Sequence, residues 1–345
     1  MAEKKKIDYA SAGVSLDAAD RAVKKIKKLA GATFNKNVLS DIGSFGGMFR
    51  VPAGYKDAVL VSSTDSVGTK LKLAFMSGLH TTIGQDIVNH CVNDILVQGA
   101  RPLFFMDYIG AARVDPTVIA DIVYGLAKAC RENDMPLLGG ETAELPGFYQ
   151  PGEYDLVGTI VGIAEKKKIV SGAKIVDGDI ILGLPSTGLH TNGYSLARKI
   201  CFEVAELKFD GSAPGLDNPI GPELMKVHRS YYRPVAAVLA AVQPHGMAHI
   251  TGGGIVGNLI RVIPDGLKAV IERGSWPELP IFNFLQEAGG VADRDMFDAF
   301  NMGIGYILVV GERVAGRVET ILSRHGQPSY RIGRIIEGKR AVIIS

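Results

Sequence analysis

The stretch GQDIVNHCVNDILVQG, residues Gly84–Gly99, carries apolar residues at helical spacing on one side and an unusual polar strip on the other. At about 100° per residue, Ile87, Val88, Cys91 and Ile95 share one face, which is ordinary core material. Asp86, Asn89, His90 and Asn93 share the opposite face, with Asp94 at its margin. Exposed helix faces ordinarily use Lys, Glu, Arg and Gln, which favour helix and keep long side chains in water, whereas Asp and Asn are poor helix formers. Short carboxylates and amides suit a place where oxygen ligands are held still. The helix alone leaves that reading level with a solvated face of accidental composition.

Outward from this helix the chain alternates. On its N-terminal side DAVLVSSTDSVGTKL, Asp57–Leu71, opens with the apolar run Ala58–Val61, a buried strand that delivers Asp65 near its end. Further back, Leu16, Ala19, Val23, Ile26 and Ala30 mark an amphipathic helix over Ser15–Ala30. On the C-terminal side RPLFFMDYIG reads as a strand, PTVIADIVYGLAKACREN as a helix opened by Pro116, and MPLLGGETAEL, YDLVGTIVGIAE and DIILGLPST as three further strands. The class is therefore α/β, in the sense of α+β with mixed sheets. Residues 166–178 are charged and turn-rich, and the spacing predicts a domain boundary there, dividing the chain into 1–170 and 171–345. The second half repeats the mixture. It shows helical spacing over Asn192–Glu206, Pro222–Val242, Val256–Val262, Ile281–Ala288 and Arg313–His325, and strand patterns near Leu267–Glu272, Gly303–Val310 and Tyr330–Glu337.

The 345 residues are 47% hydrophobic and 21% charged, a globular profile long enough for two cores. Lys plus Arg (38) nearly balances Asp plus Glu (36), so no basic field favours nucleic acid. No stretch approaches the ~20 apolar residues of a membrane span. Cys91, Cys130 and Cys201 form no CxxC pair, their odd number argues against a disulfide framework, and no signal peptide is evident. The expected setting is the reducing cytoplasm.

Three separated segments supply carboxylates next to flexible backbone. Asp65 precedes Gly68, Thr69 and Lys70; Asp94 lies on the polar strip; Glu141 and Glu144 follow Gly139–Gly140. Hard oxygen ligands of this kind suit Mg²⁺ shared with phosphate, and Lys70 would add a point charge for a phosphate. Each carboxylate alone is more often a cap or turn-former; the three together favour a metal site if their strands are neighbours. The loop DIGSFGGMF, with Asp41, Gly43, Ser44, Gly46 and Gly47, lacks the Lys-Ser or Lys-Thr of a P-loop, but its glycines let backbone amides approach phosphate. In the second half, GLPSTGLHTNGYSLAR places His190 before a helix expected to start near Thr191 or Asn192. HITGGGIVGN places Gly252, Gly253 and Gly254 before another. Two glycine-rich helix starts suggest a ligand with its own phosphate. No GxSxG, HExxH or Walker A motif is present.

These segments, together with DYASAGV, SSTDSVGTK, GARPLFFMDY, GGETAELPG, DLVGTIVG and FNMGIG, run in order from Asp8 to Gly305. In that order they resemble the aminoimidazole ribonucleotide synthetase family, also called phosphoribosylformylglycinamidine cyclo-ligases. The resemblance implies an ATP-dependent ligase of purine synthesis that forms a C–N bond in formylglycinamidine ribonucleotide by phosphorylating its amide oxygen. It implies a two-domain fold whose N-terminal domains pair into a barrel in a homodimer. It maps metal and ATP contacts onto Asp65, Asp94 and Glu141, with Lys70, Asn93, Gly139 and Gly140 nearby, and a lid onto Asp41–Gly47. It maps the substrate side onto Thr191, Asn192 and Gly252–Gly254, with His190 catalytic beside Asp65 and Asp94. Three positions depart from the family pattern: His90 stands where an apolar residue is expected, Ser44 where glycine is common and Ile260 where proline is common. The alternatives are a sister enzyme of the same fold, such as a thiamine-monophosphate kinase or selenophosphate synthetase, and a non-catalytic nucleotide-binding scaffold.

Overall fold

The computed structural model describes residues 16–345; DYASAGV lies outside them. In chain order the N-terminal half comprises α1 (Leu16–Gly31), β1 (Ala58–Ser66), α2 (Leu71–Ser77), α3 (Thr81–Leu96), β2 (Arg101–Ala111), α4 (Pro116–Glu132), β3 (Leu137–Glu144) and β4 (Tyr154–Glu165). Its four strands form one sheet in the order β1-β4-β2-β3, with β4 antiparallel to β1 and β2, and β3 parallel to β2. Helices α1, α3 and α4 lie on one face. Helices α3 and α4 cross closely, because a Cβ on Gly84 would come within 2.3 Å of the Ile122 carbonyl oxygen and one on Gly125 within 2.2 Å of that of Thr81. The other face of the sheet carries rows such as Ser62–Val161–Phe104 and Thr64–Thr159–Met106 and is only partly covered, with Leu60 62% exposed.

Residues 166–179 lead to the second half: β5 (Ile180–Pro185), α5 (Tyr194–Arg198), α6 (Ile220–Leu224), α7 (Tyr232–Ala241), β6 (Gly246–His249), α8 (Gly254–Leu259), β7 (Leu267–Ile271), α9 (Pro280–Gly289), α10 (Asp293–Ala299), β8 (Ile304–Val310), α11 (Glu312–Arg324), β9 (Tyr330–Glu337) and β10 (Ala341–Ile344). Its strands form a six-stranded mixed sheet, β10-β7-β9-β5-β8-β6. Strand β8 is buried at every residue, as its unbroken apolar run IGYILVV requires of a central strand.

Several local expectations change. The helix expected over Pro222–Val242 is two helices, α6 and α7, with 225–231 non-helical between them. That segment gives its backbone groups to side chains of α3 instead of to a helix. The start expected at Thr191 or Asn192 lies at Tyr194, after Gly193 at φ 78°, with no side-chain cap. Strands β6 and β10 are four residues each, too short for a periodic signal.

The polar strip of α3 is neither solvated nor free. Asp86 and Asn93 are fully buried, and Asn89 and His90 nearly so, where α3 meets the second half. Asp86 accepts from the His228 amide (2.7 Å), Asn89 donates to the His228 carbonyl (2.7 Å), and Asn93 donates to the Arg229 carbonyl (2.8 Å) while accepting from the Tyr231 amide (3.0 Å). Lys70, wholly buried, pairs with Asp86 at 2.8 Å and donates to the carbonyls of Lys226 (2.8 Å) and His190 (3.3 Å). The buried lysine and aspartate balance one another. Lys70→Met is expected to cost about 3–5 kcal/mol by stranding Asp86, and Lys70→Met with Asp86→Leu to be more stable than the single change. Urea midpoints of the three proteins check this; a double variant no better than the single one refutes the pairing.

Candidate active site at the junction of the halves

Two centres lie on the N-terminal sheet, joined by one row of residues. Asp65 pairs across to Gly158, Gly158 to Asp107, and Asp107 to Gly140, so these four share a face. At the Gly140 end, paired backbone bonds at Leu39–Met48 and Arg50–Asn37 make a stem from which the loop Asp41–Gly47 projects over β3. A cleft of about 650 Å³ lies between them, lined by Asp41, Gly43, Ser44, Gly46, Gly47, Asp107, Gly139, Gly140 and Glu141 among others. Gly47 must be glycine, since a Cβ would meet Leu138 Cγ at 2.6 Å; a Cβ on Gly140 would meet Asp107 Oδ1 at 2.4 Å. Burial and the nearby Glu141 raise the Asp107 carboxyl to about 7.

At the opposite edge, Asp65 accepts from His90 Nε2 at 2.8 Å, and Asp94 Oδ2 lies 3.6 Å from the same nitrogen. Asp94 also accepts from Ser63 Oγ (3.0 Å) and from His249 Nδ1 (2.9 Å). Burial alone would raise both carboxyls, but the bonds and charge of His90 for Asp65, and of His249 for Asp94, hold them below the ordinary range. Burial would likewise lower His90, yet Asp65, Asp94 and Asp86 outweigh it and raise the imidazole. Behind this pair, His90 Nδ1 meets Thr191 Oγ1 at 2.7 Å, Thr191 meets His228 Nδ1 at 3.2 Å, and His228 Nε2 meets His249 Nε2 at 3.0 Å. His190 stacks on His228 with centroids 4.0 Å apart and holds φ 65°, a strained value for a residue with a Cβ. Burial, with the neighbouring imidazoles, drives His190 and His228 well below the usual histidine range. Between the halves a second cleft, of about 310 Å³, is lined by Ser62, Ser63, Asp94, Gln98, His249, Thr251, Asn258 and Arg261 among others.

Residues 46–164 match the family AIR synthase related protein, N-terminal domain, and residues 176–345 match AIR synthase related protein, C-terminal domain. The chain is 50% identical over 331 residues to a phosphoribosylformylglycinamidine cyclo-ligase of Geobacillus thermodenitrificans, covering 96% of each chain. It is 46% identical over 340 residues to the protein of that name from Alkaliphilus oremlandii, covering 98% of this chain and all of the other. The chain belongs to the AIR synthase family of phosphoribosylformylglycinamidine cyclo-ligases. The fold extends more widely. A thiamine-monophosphate kinase from Stenotrophomonas maltophilia superposes at TM-score 0.66 with 16% identity, covering 94% of this chain and 96% of that one. A hydrogenase maturation protein HypE in complex with ATP superposes at 0.67 with 19% identity, covering 94% and 90%.

Within this AIR synthase chain the structure brings the glycine loop together with Gly139, Gly140 and Glu141, and Asp65 together with Asp94. It does not bring Glu141 to the other two carboxylates. Strands β1 and β3 are the two edges of the sheet, three strand spacings or roughly 14 Å apart. Lys70 and Asn93 are committed to the interface and offer no polar atom to a phosphate here. Glu144 accepts from the Val114 amide, a local role. Asn192 lies beside Gly252, its Oδ1 3.4 Å from where a Cβ would stand. Sequence reasoning missed Asp107, His228 and His249. A carboxylate inside the run LFFMDYIG was the available signal for the first, and the place of His249 at the head of HITGGGIVGN for the third; His228 carries no local signal.

The depressed histidines fix a pH dependence. The unfolded chain binds protons at His190 and His228 below about 6.5 and the folded chain does not, so their contribution is present above that pH and lost as pH falls. Raised His90 opposes this near its own titration, and so does Asp107, whose buried carboxyl takes up a proton near 7 that the unfolded chain does not; two depressed histidines outweigh it, and Asp65 and Asp94 matter only nearer pH 4. The melting temperature is expected to fall from pH 6.5 to 5, with a shallower slope in His228→Gln; equal slopes refute it.

Proposed function

We propose that this chain closes formylglycinamidine ribonucleotide into aminoimidazole ribonucleotide, an ATP-dependent formation of one C–N bond with release of ADP and phosphate in purine synthesis. The observation that carries this is the nearly full-length identity to relatives of that name, joined to a site with the parts such a reaction uses.

The residues fit ATP. Gly46 and Gly139 have open space where a Cβ would stand, and Gly47 and Gly140 tolerate none, so bare backbone faces the loop cleft. They also fit Mg²⁺, because the Asp65 and Asp94 carboxylates approach one point, marked by His90 Nε2. When bound, Mg²⁺ and ATP supply a transferable phosphoryl group and charge neutralisation, which make an amide oxygen a leaving group. The nucleotide would lie along the row from Gly140 to Asp65. Asp41, Gly43, Ser44, Gly46, Gly47, Gly139, Gly140 and Glu141 would hold one end, and Asp65 and Asp94 the cation at the other. One ion does not reach all three carboxylates across that span, so Glu141 serves the glycine-loop end. The substrate would enter the cleft between the halves, with Arg261 and Thr251 as phosphate partners; Gly252–Gly254, bonded to the lining residue Asn258, and Thr191 and Asn192 would hold it from beside that cleft. Thr191 would position the Asp65–His90 pair from behind, with His190 stacked on the His228 ring that Thr191 also meets. No covalent nucleophile is needed for this chemistry; alignment and charge do the work. In this scheme 1–170 forms the ATP-binding unit and 171–345 closes the substrate side.

The chain is expected to release phosphate from ATP only when the amidine substrate is present, and Asp65→Asn and Asp94→Asn to lower ring closure on the order of 10²-fold. Phosphate assays with and without substrate test this. Substrate-independent silence favours a binding scaffold, and transfer to thiamine monophosphate favours the kinase.

The open sheet face supports a homodimer in which two such faces join into a barrel: Leu60, Val161, Phe104 and Met106 are apolar and lie outside the helix layer. Leu60→Glu with Val161→Glu is expected to give monomers by light scattering, while a persisting dimer refutes that interface. Three unpaired, buried cysteines suit a cytoplasmic setting. Among the described residues no helix is long and apolar enough to cross a membrane.

A further inference from the structure

We infer that His228 and His249, assisted by His190, form a binding site for a late first-row divalent cation such as Zn²⁺, Co²⁺ or Ni²⁺, distinct from the oxygen site proposed for Mg²⁺. The argument starts from hydrogen-bond direction. His249 Nδ1 lies 2.9 Å from Asp94 Oδ1, and a carboxylate accepts, so Nδ1 carries the proton and Nε2 presents its lone pair. His228 Nε2 lies 3.1 Å from Asn93 Nδ2. That amide cannot be turned round: its oxygen accepts from the Tyr231 amide at 3.0 Å and its nitrogen donates to the Arg229 carbonyl at 2.8 Å. His228 Nε2 is therefore an acceptor too, with its Nδ1 proton directed to Thr191 Oγ1 at 3.2 Å.

Two acceptor nitrogens then lie 3.0 Å apart in a buried place, and the one lone pair of His228 Nε2 is shared with the Asn93 amide, which a cation would displace while Asn93 kept its bond to the Arg229 carbonyl. Such an arrangement calls for a positive occupant. Two nitrogens held ~2.0–2.1 Å from a Zn²⁺ ion and 3.0 Å apart subtend about 91–97°, an accessible coordination angle. His190 supplies a third nitrogen within 4.8 Å of the other two, and its Nδ1 is buried with no hydrogen bond. Coordination there would move its proton to Nε2 and give up the contact from the Thr187 amide (3.2 Å), so His190 is the weakest ligand of the three. The Asp94–His249 contact has the form of a carboxylate that orients a metal-bound imidazole. An all-nitrogen set selects against Mg²⁺, which takes oxygen, and for the later divalent metals.

Untagged full-length protein, stripped with chelator, is expected to bind one equivalent of Co²⁺ or Zn²⁺ per chain in the presence of millimolar Mg²⁺. Metal analysis and Co²⁺ absorption read this. His228→Gln and His249→Gln should each abolish stoichiometric binding, Asp94→Asn should weaken it about 10–100-fold, and the surface change His325→Gln should leave it intact. X-ray absorption of the loaded wild type, which needs no variant to fold, should show imidazole nitrogens in the first shell. No stoichiometric binding would assign a shared proton to the gap and overturn the site. Binding that survives loss of both histidines, or a shell of oxygen alone, would overturn it as well.

Discussion

The molecule depends on a strip of short polar side chains that takes up the amides and carbonyls a loop does not give to any helix. Residues 225–231 leave the helical path between α6 and α7, and buried backbone groups without partners would each cost a kcal/mol or more. Asp86, Asn89 and Asn93, spaced along one face of α3, take the amides of His228 and Tyr231 and the carbonyls of His228 and Arg229. Only short, stiff side chains reach a backbone that closely without adding bulk. Lys70 then neutralises Asp86 inside the same interface. The price of that arrangement is paid in helix propensity, which explains why a core helix is built from Asp and Asn.

Much of this was legible. The 3.6-residue period of Ile87, Val88, Cys91 and Ile95 placed α3, and the odd Asp–Asn composition marked its other face as special. What the composition could not say was special for what: the same groups that suit a metal also suit a backbone. Lys70 misled for a related reason, because a lysine after a strand and a glycine resembles a phosphate ligand until its burial is known. The grouping of Asp65, Asp94 and Glu141 depended on strand order, which no local pattern encodes. With β1 and β3 at opposite edges, two of the three acids meet and the third belongs with the glycine loop. The glycine-rich segments were easier, since Gly47 and Gly140 owe their identity to contacts within 3 Å. His228 was hidden because its segment reads as helix.

The two centres differ in the hardness of their donors. The N-terminal sheet offers carboxylate oxygens and bare amides, which suit phosphate and magnesium. The second half offers imidazoles, kept uncharged by burial. His90 belongs to the first half in sequence but faces both, bonded to Asp65 on one side and to Thr191 on the other. Its place on the polar strip extends hydrogen bonding from the carboxylates into the histidine cluster.

Asp94 is where the halves become one site. Its Oδ2 accepts from Ser63 on β1 and its Oδ1 from His249 at the end of β6. One carboxylate is therefore positioned by the first sheet through one oxygen and by the second sheet through the other. Any relative shift of the halves must lengthen one of these bonds or rotate the group. A cation held, as proposed, by Asp65 and Asp94 would consequently be sensitive to what fills the cleft that His249, Thr251 and Arg261 line on the other side of the same carboxylate. The interface strip keeps that coupling tight: with Asp86, Asn89 and Asn93 anchoring the 225–231 segment, His228 and His249 cannot drift from α3 without breaking buried bonds. In the proposed scheme, nucleotide charge and substrate occupancy would report to each other through this single side chain, held by Ser63 on one side and His249 on the other.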